Sequence, residues 1–385
     1  DRKKFKNILN RRHHLVLLAQ NETGLKNLFK MVSQSFRGDN FYRYPRVDYS
    51  LLRKNNEGVI AASACMSGLY SGCFWRNREE GDEAILAAMR QTTEKMQRIF
   101  GDRWYAELQW NAIPEQHDIN KYIIQVAREF DVELISTADS HYPSQDTWRD
   151  RELYRRLGWL GKSTRPGWMS NELPADIEEV GYELYPKNGD QMWEAYKRYS
   201  KKMNVNYDDK LILESIERTH HIAHDRIESF LPSNDVKLPS FVVPQGKSAD
   251  QALAAMCVSG LKSLGLGNDR EYVDRLKEEV NVIKDRGFSK YFLTMKAIAD
   301  KATDRQLVGP GRGSAAGALT AYVLGITQVD PIQYGLQFER FLRKDATDYH
   351  DIDYDVSDPM ELKEHLIGEW GENSVVPISN WNTLQ

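Results

Sequence analysis

Cysteine is scarce in this chain: three in 385 residues, Cys65, Cys73 and Cys257. So few thiols exclude a disulfide framework and suit a reducing compartment. Long apolar runs are missing as well, none approaching the roughly 20 residues that cross a bilayer. The opening Asp1-Arg2-Lys3-Lys4-Phe5-Lys6 lacks the apolar stretch of a signal peptide. Nor is there an excess of one charge. With 52 Lys and Arg against 56 Asp and Glu, the net charge is −4, so any nucleic-acid contact has to come from local basic patches. A soluble, cytoplasmic protein with no membrane partner is expected. No internal repeat or low-complexity tract is present, and the length suits about two domains.

What is there begins with strand-then-helix units. Leu15-Val16-Leu17-Leu18-Ala19 reads as a buried strand and Thr23 to Leu28 as the start of a helix. Similar units recur at Gly58 to Cys65, at Trp104 to Leu108 with a helix from Asp118 to Glu129, and at Val132 to Thr137. Strands alternating with helices predict a parallel α/β arrangement, open or closed into a barrel, in which ligands gather at the carboxyl ends of the strands. Beside those ends stand Cys65, then Asp139 with His141; His14 stands at the start of its strand. An Asp-x-His pair beyond a buried strand suits a metal. Taken singly, Cys65 also reads as a small buried hydrophobe and His14 as a cap or core residue.

Two further tracts carry chemistry-bearing residues. Between Trp148 and Trp168, Arg149, Arg151, Arg155, Arg156, Lys162 and Arg165 interleave with Trp159, a pattern open to DNA contact or to a solvated helix face. His220, His221 and His224 fall on a predicted helix from Lys210 to Ile227; without the Glu of a zinc-protease motif, it reads as a surface helix. Prolines punctuate Phe230 to Pro244, which predicts a boundary there, giving domains 1–230 and 231–385. Helices are predicted at Ser248–Leu264, Glu271–Arg286 and Tyr291–Ala302, with Val273, Leu276, Val280 and Ile283 packing beside the strands that follow.

The chain's most informative stretch is Leu307-Val308-Gly309-Pro310-Gly311-Arg312-Gly313-Ser314 and the helix-forming run Ala315 to Leu324, stopped by Gly325. Ser314 is a good N-cap, so the pattern predicts a strand, a glycine turn and a helix whose first N–H groups face an anion, with the Arg312 guanidinium beside it. The same glycines form a loose dinucleotide fingerprint, and many such turns bind nothing. Further on, Asp351, Asp353 and Asp355 alternate with Ile352, Tyr354 and Val356, which predicts a strand with its carboxylates on one face, about 7 Å apart. Such carboxylates repel unless a cation lies between them, as in two-metal phosphoryl transfer, or unless the strand is simply a solvated edge.

Gly309 to Gly317, then Leu324-Gly325-Ile326-Thr327 with Asp330-Pro331, then Phe338-Glu339-Arg340-Phe341-Leu342, then Asp351-Ile352-Asp353 resemble, in that order, the palm of the C family of bacterial replicative DNA polymerases, the family of polymerase III alpha subunits. The resemblance implies that Gly313 and Ser314 grip an incoming triphosphate, that Arg340 contacts phosphate, and that Asp351 and Asp353 are the catalytic ligands of magnesium, with Arg312, read from its own charge and fork, joining the grip. His13-His14-Leu15-Val16-Leu17-Leu18-Ala19-Gln20-Asn21, Ser63-Ala64-Cys65-Met66-Ser67-Gly68 and Thr137-Ala138-Asp139-Ser140-His141-Tyr142 likewise resemble the later motifs of the PHP domain, the barrel that precedes the palm in these polymerases. That implies metal ligands at His14, Cys65, Asp139 and His141, holding zinc or manganese.

The fold expected from the resemblance is α/β: a PHP-type (β/α) barrel truncated at its N-terminus, followed by a nucleotidyltransferase-like palm truncated at its C-terminus. The family's early His-x-His lies ahead of the matched motifs. Its third catalytic aspartate, thumb and fingers come after them. The implied function is nucleotidyl transfer from dNTPs to a primer 3′-hydroxyl on template DNA, with the isolated chain inactive and sliding-clamp or other replisome contacts made by other regions. The alternatives are a metal-dependent 3′-5′ exonuclease or phosphoesterase in the barrel, and a non-catalytic scaffold. A dinucleotide-dependent dehydrogenase is the weakest alternative: it needs an acid about twenty residues past the glycines at a strand end, and Asp330 comes too early, behind a loop.

Overall fold

The computed structural model describes residues 12–42, 44–158, 180–232, 243, 246–343 and 351–376. Two compact units make up the chain, Asp1–Ser233 and Asn234–Gln385. The proline-punctuated connection lies mostly outside the described residues, as do Trp159, Lys162, Arg165 and Trp168 of the basic tract.

In the first unit β1 (Val16–Ala19), β2 (Val59–Ala62), β3 (Trp104–Leu108) and β4 (Glu133–Ser136) form a four-stranded sheet in that order. β1 runs antiparallel to β2, with Val16 opposite Ala62. β2, β3 and β4 are parallel, with Ala62 opposite Tyr105 and Leu108 opposite Ser136. β2 and β3 are buried along their whole length, which is why they read as continuous apolar runs. The connections are helical: α1 (Glu22–Ser35) follows β1, α2 (Leu69–Asn77) and α3 (Asp82–Phe100) lead from β2 to β3, and α4 (Pro114–Phe130) leads from β3 to β4. α4 starts at Pro114, earlier than the predicted Asp118, because a proline at the first helical position lacks only an N–H that would go unpaired there. A closed barrel is not formed by the described residues. Closure takes about eight strands, and four with an antiparallel edge leave the sheet open.

Beyond the sheet come α5 (Trp148–Leu157), α6 (Gly189–Lys202) and α7 (Asp209–His221). α7 packs on β4, where Ser215 and Ser136 share a 2.7 Å hydroxyl hydrogen bond and Arg218 donates to the Leu134 carbonyl at 2.8 Å. The single helix predicted to Ile227 instead gives way to a π turn, Ile222–Arg226.

In the second unit three helices surround a short one: α8 (Ala249–Ser263), α9 (Arg270–Asp285), α10 (Ser289–Thr303) and α11 (Leu319–Val323), with α12 (Pro359–Trp370) near the end. Ser248 and Gln251 cap α8 reciprocally, and Asp269 caps α9. Phe292 and Phe341 meet edge to face at 5.9 Å in a core that also holds Leu253, Ile283 and Leu293. Among the described residues this unit has no strand. In place of the two predicted strands there is one antiparallel bridge, Val308 with Val356, flanked by Gly309 N to Asp355 O at 2.9 Å and Ser357 N to Leu307 O at 3.0 Å. α9 accordingly packs its apolar face on α11, not on strands.

Candidate nucleotide and metal sites

The glycine turn of the second unit differs from its prediction in one respect that matters chemically. The run after Gly313 is split into a 3-10 turn, Ser314–Gly317, an extended Ala318 and the short α11. Gly313 precedes the first turn and Ser314 is its first residue, so Ser314 is no N-cap. Moreover, the Leu319 and Thr320 N–H groups at the start of α11 already donate to the Glu279 carboxylate, at 3.0 and 2.8 Å. The helix-terminus part of the anion-binding expectation therefore falls away. What remains is the turn's own backbone, the exposed Ser314 hydroxyl and Arg312.

The acidic segment faces this turn. A Cβ placed on Gly313 would lie 2.3 Å from Asp353 Oδ2, and Gly313 has φ +64°, so both the contact and the backbone call for glycine. Ile352, between the two aspartates, is buried in the core, and its N–H donates to the Tyr291 hydroxyl at 2.9 Å. With Ile352 turned inward, Asp351 and Asp353 lie on the outward side, one exposed and one half-buried. Burial raises the Tyr291 pKa, and the two carboxylates raise it further. Asp355 carries two contacts of its own: its carbonyl accepts from Gly309, and its carboxylate accepts from Arg312 at 3.1 Å. Both side chains of that pair are exposed, so water and salt screen it and a phosphate can compete for the arginine. Arg340 is exposed on a second 3-10 turn, Phe338–Arg340, which packs against the first. Hard carboxylate oxygens are what magnesium accepts, so Asp351 and Asp353 fit that ion chemically.

In the first unit the ligand atoms of His14, Cys65 and Asp139 all lie within 4.8 Å of one another, the only such group of three donors among the described residues. His14 Nδ1 is 3.3 Å from Cys65 Sγ. His141 does not join them: its Nδ1 is engaged by the Asp139 carbonyl at 2.6 Å. Imidazole, thiolate and carboxylate are donors that zinc takes, and the nitrogen and oxygen suit manganese too. Two non-glycine residues here have positive φ, Ala64 at 62° and Asp139 at 48°, each a strained conformation that its surroundings must hold.

For Ala64 the holding group is one that the sequence reading passed over. Glu107, buried on β3, accepts the Ala64 N–H and the Thr137 hydroxyl, each at 2.7 Å, and so ties the ends of β2 and β4 together beneath the three donors. Burial pushes its carboxyl pKa up, against those two hydrogen bonds. An acid in the otherwise apolar Trp104-Tyr105-Ala106-Glu107-Leu108 was the available signal. Burial also pushes the Cys65 thiol up, and Asp139 adds to the shift.

The other two tracts resolve differently. Arg151, Arg155 and Arg156 converge on the nearly buried Glu152, so these guanidinium groups are engaged within the unit. His220 and His224 lie ring to ring, centroids 4.1 Å apart and tilted by 40°, across the start of the π turn, and His221 pairs with Asp225 at 2.8 Å.

Comparison with known proteins agrees with the order of the two units. Residues 3–111 match the PHP domain, and residues 251–385 match the bacterial DNA polymerase III alpha NTPase domain. The chain thus carries a PHP-domain match followed by a match to the polymerase III alpha NTPase domain. It is 34% identical over 383 residues to the DNA polymerase III subunit alpha of Aquifex aeolicus, covering 97% of this chain and 31% of the relative. The subunit alpha of Borreliella burgdorferi is 31% identical, with 97% and 30% covered, and that of Thermus aquaticus is 29% identical, with 100% and 34% covered. The chain belongs to the DNA polymerase III alpha family, and it spans about a third of the length of these curated relatives. Among the described residues no helix is long and apolar enough to cross a membrane.

Proposed function

We propose that this chain supplies the PHP domain, residues 1–230, and the nucleotide-binding part of the palm, residues 231–385, of a replicative DNA polymerase that transfers deoxynucleotides to a primer 3′-hydroxyl in the cytoplasm. The observation that supports this reading is the Asp353 carboxylate against Gly313, an acidic group directly beside the glycine turn. Asp351 and Asp353 hold magnesium. Gly313 and Ser314 cradle the triphosphate, and Arg340 holds it from the neighbouring turn. Arg312 leaves Asp355 for a phosphate oxygen, exchanging an exposed pair for a bidentate contact. Bound magnesium would supply the lowered pKa of the attacking hydroxyl and the neutralised pyrophosphate.

The test is equilibrium binding of dATP to the 385-residue chain with and without magnesium. Magnesium-dependent binding that is lost in Asp351→Ala and Asp353→Ala is expected. Binding indifferent to both substitutions sinks the assignment. Primer extension by the isolated chain is expected to be absent, because a third aspartate, thumb and fingers, and with them the sliding-clamp contacts, belong to other parts of the family's polymerases.

A second reading is favoured by the three donors of the first unit. His14, Cys65 and Asp139 hold zinc or manganese, with His141 a fourth ligand after its ring turns away from the Asp139 carbonyl, and the site hydrolyses single-stranded 3′ ends. Metal content of the wild type against Asp139→Ala decides the binding step, and nuclease assay decides the chemistry. Bound metal without hydrolysis would leave the PHP domain a metal-stabilised scaffold for the palm.

A further inference from the structure

We infer that the ion pair between half-buried Arg275 and buried Glu279 on α9 is a positioning device for the nucleotide pocket, setting Ser314 and Arg340 relative to each other; this rests on the nucleotidyl-transfer reading above. Glu279 is fully buried, yet each of its oxygens has two donors. Oε1 accepts from Leu319 N at 3.0 Å and from Arg275 Nε at 2.8 Å. Oε2 accepts from Thr320 N at 2.8 Å and from Thr320 Oγ1 at 2.9 Å. The carboxylate thus caps α11 from a neighbouring helix and accounts for the break at Ala318. Those amides take a side chain from α9 instead of continuing the 3-10 turn that begins at Ser314.

The arginine completes the device. Its Nη2 donates to the Gly317 carbonyl at 3.2 Å and to the Leu336 carbonyl at 3.3 Å. Gly317 ends the turn that carries Ser314, and Leu336 leads into the turn that carries Arg340. The two segments also touch directly, since a Cβ on Gly317 would lie 2.7 Å from the Gln337 carbonyl. One guanidinium therefore binds the backbone under both groups assigned to phosphate. A buried ion pair is a poor source of stability compared with apolar side chains of equal volume; what it supplies here is direction, through six hydrogen bonds that no apolar pair could make.

The experiment uses the whole 385-residue chain with magnesium and dATP, and compares wild type, Glu279→Gln, Arg275→Lys and the milder Thr320→Val. Three quantities are read: dATP affinity, thermal melting, and hydrogen exchange at the Leu319 and Thr320 amides. Glu279→Gln is expected to weaken dATP about tenfold, the equivalent of one charged hydrogen bond. It is also expected to speed exchange at both amides. Arg275→Lys keeps a positive charge for Glu279 but cannot reach both carbonyls, so it should recover melting more fully than affinity. Thr320→Val should fall between it and wild type. Affinity within twofold of wild type in Glu279→Gln and Thr320→Val overturns the inference, as does affinity that simply tracks melting temperature across the series. Should the wild type itself fail to bind dATP, the nucleotide reading fails on its own, and exchange then judges the device: amides as protected in Glu279→Gln as in wild type overturn it.

Discussion

The donors of the first unit hang from the ends of hydrogen-bonded strands, and a buried glutamate ties two of those strands together directly below them. Asp351 and Asp353, by contrast, sit on a segment held by one bridge with its two flanking backbone bonds, the Arg312–Asp355 pair, buried Ile352, the Tyr291 hydroxyl and Tyr354 against the core. A sheet-end site inherits its geometry from a ladder that many residues share, so removing one side chain leaves most of it standing. A site assembled from turns depends on a few specific contacts, and each can be broken separately.

That contrast can be put under strain, the largest effect first. Gly313→Ala forces a side chain into a left-handed position against Asp353, a strain of about 1–3 kcal/mol, and is expected to cut magnesium-dependent dATP binding at least about tenfold. Binding left intact would mean that the turn and the acidic segment do not act together. Glu107→Gln replaces one acceptor by a donor facing Ala64 N–H or Thr137, and should destabilise the first unit by about 1–3 kcal/mol in denaturant melts. Metal binding by His14, Cys65 and Asp139 should weaken with it; unchanged affinity would show that the strand ends need no such tie. Tyr291→Phe removes the acceptor for Ile352 N–H and should cost about 0.5–1.5 kcal/mol of stability. The loss in dATP affinity should exceed that of a surface Tyr→Phe control.

The smallest effect is a pH dependence in the first unit. His117 is buried between the Asn111 carbonyl and the Tyr207 hydroxyl, and burial lowers its pKa below the ordinary 6.5. A lowered folded pKa means that the unfolded chain takes up the proton first. The contribution of His117 is therefore full above about pH 6.5 and is lost as the pH falls towards the folded value, with a slope of at most about 1.4 kcal/mol per unit. Melts between pH 7 and 5 should show this slope in wild type and lose it in His117→Gln.

Local pattern alone determined a good deal. Continuous apolar runs marked β2 and β3 because both faces of those strands are buried, and the helical spans from Ser248 and from Glu271 were legible to within a residue of where α8 and α9 begin. Alternation placed Ile352 inside and its neighbouring aspartates outside. His14, Cys65 and Asp139 could be read as a group because each flanks a strand of one sheet, whereas His141 bonds the backbone carbonyl of Asp139, two residues before it. Only the tertiary structure decided the rest. Whether the residues after Gly313 continue as one helix depends on a carboxylate some forty positions earlier, Glu279, whose hydrogen bonds to Leu319 and Thr320 outcompete local propensity. Whether Leu307-Val308 and the acidic segment become strands depends on partners to extend the ladder, and a single bridge is what Val308 and Val356 find in each other. Propensity acts over a few residues, while buried charge and strand pairing are settled by groups brought together from far along the chain.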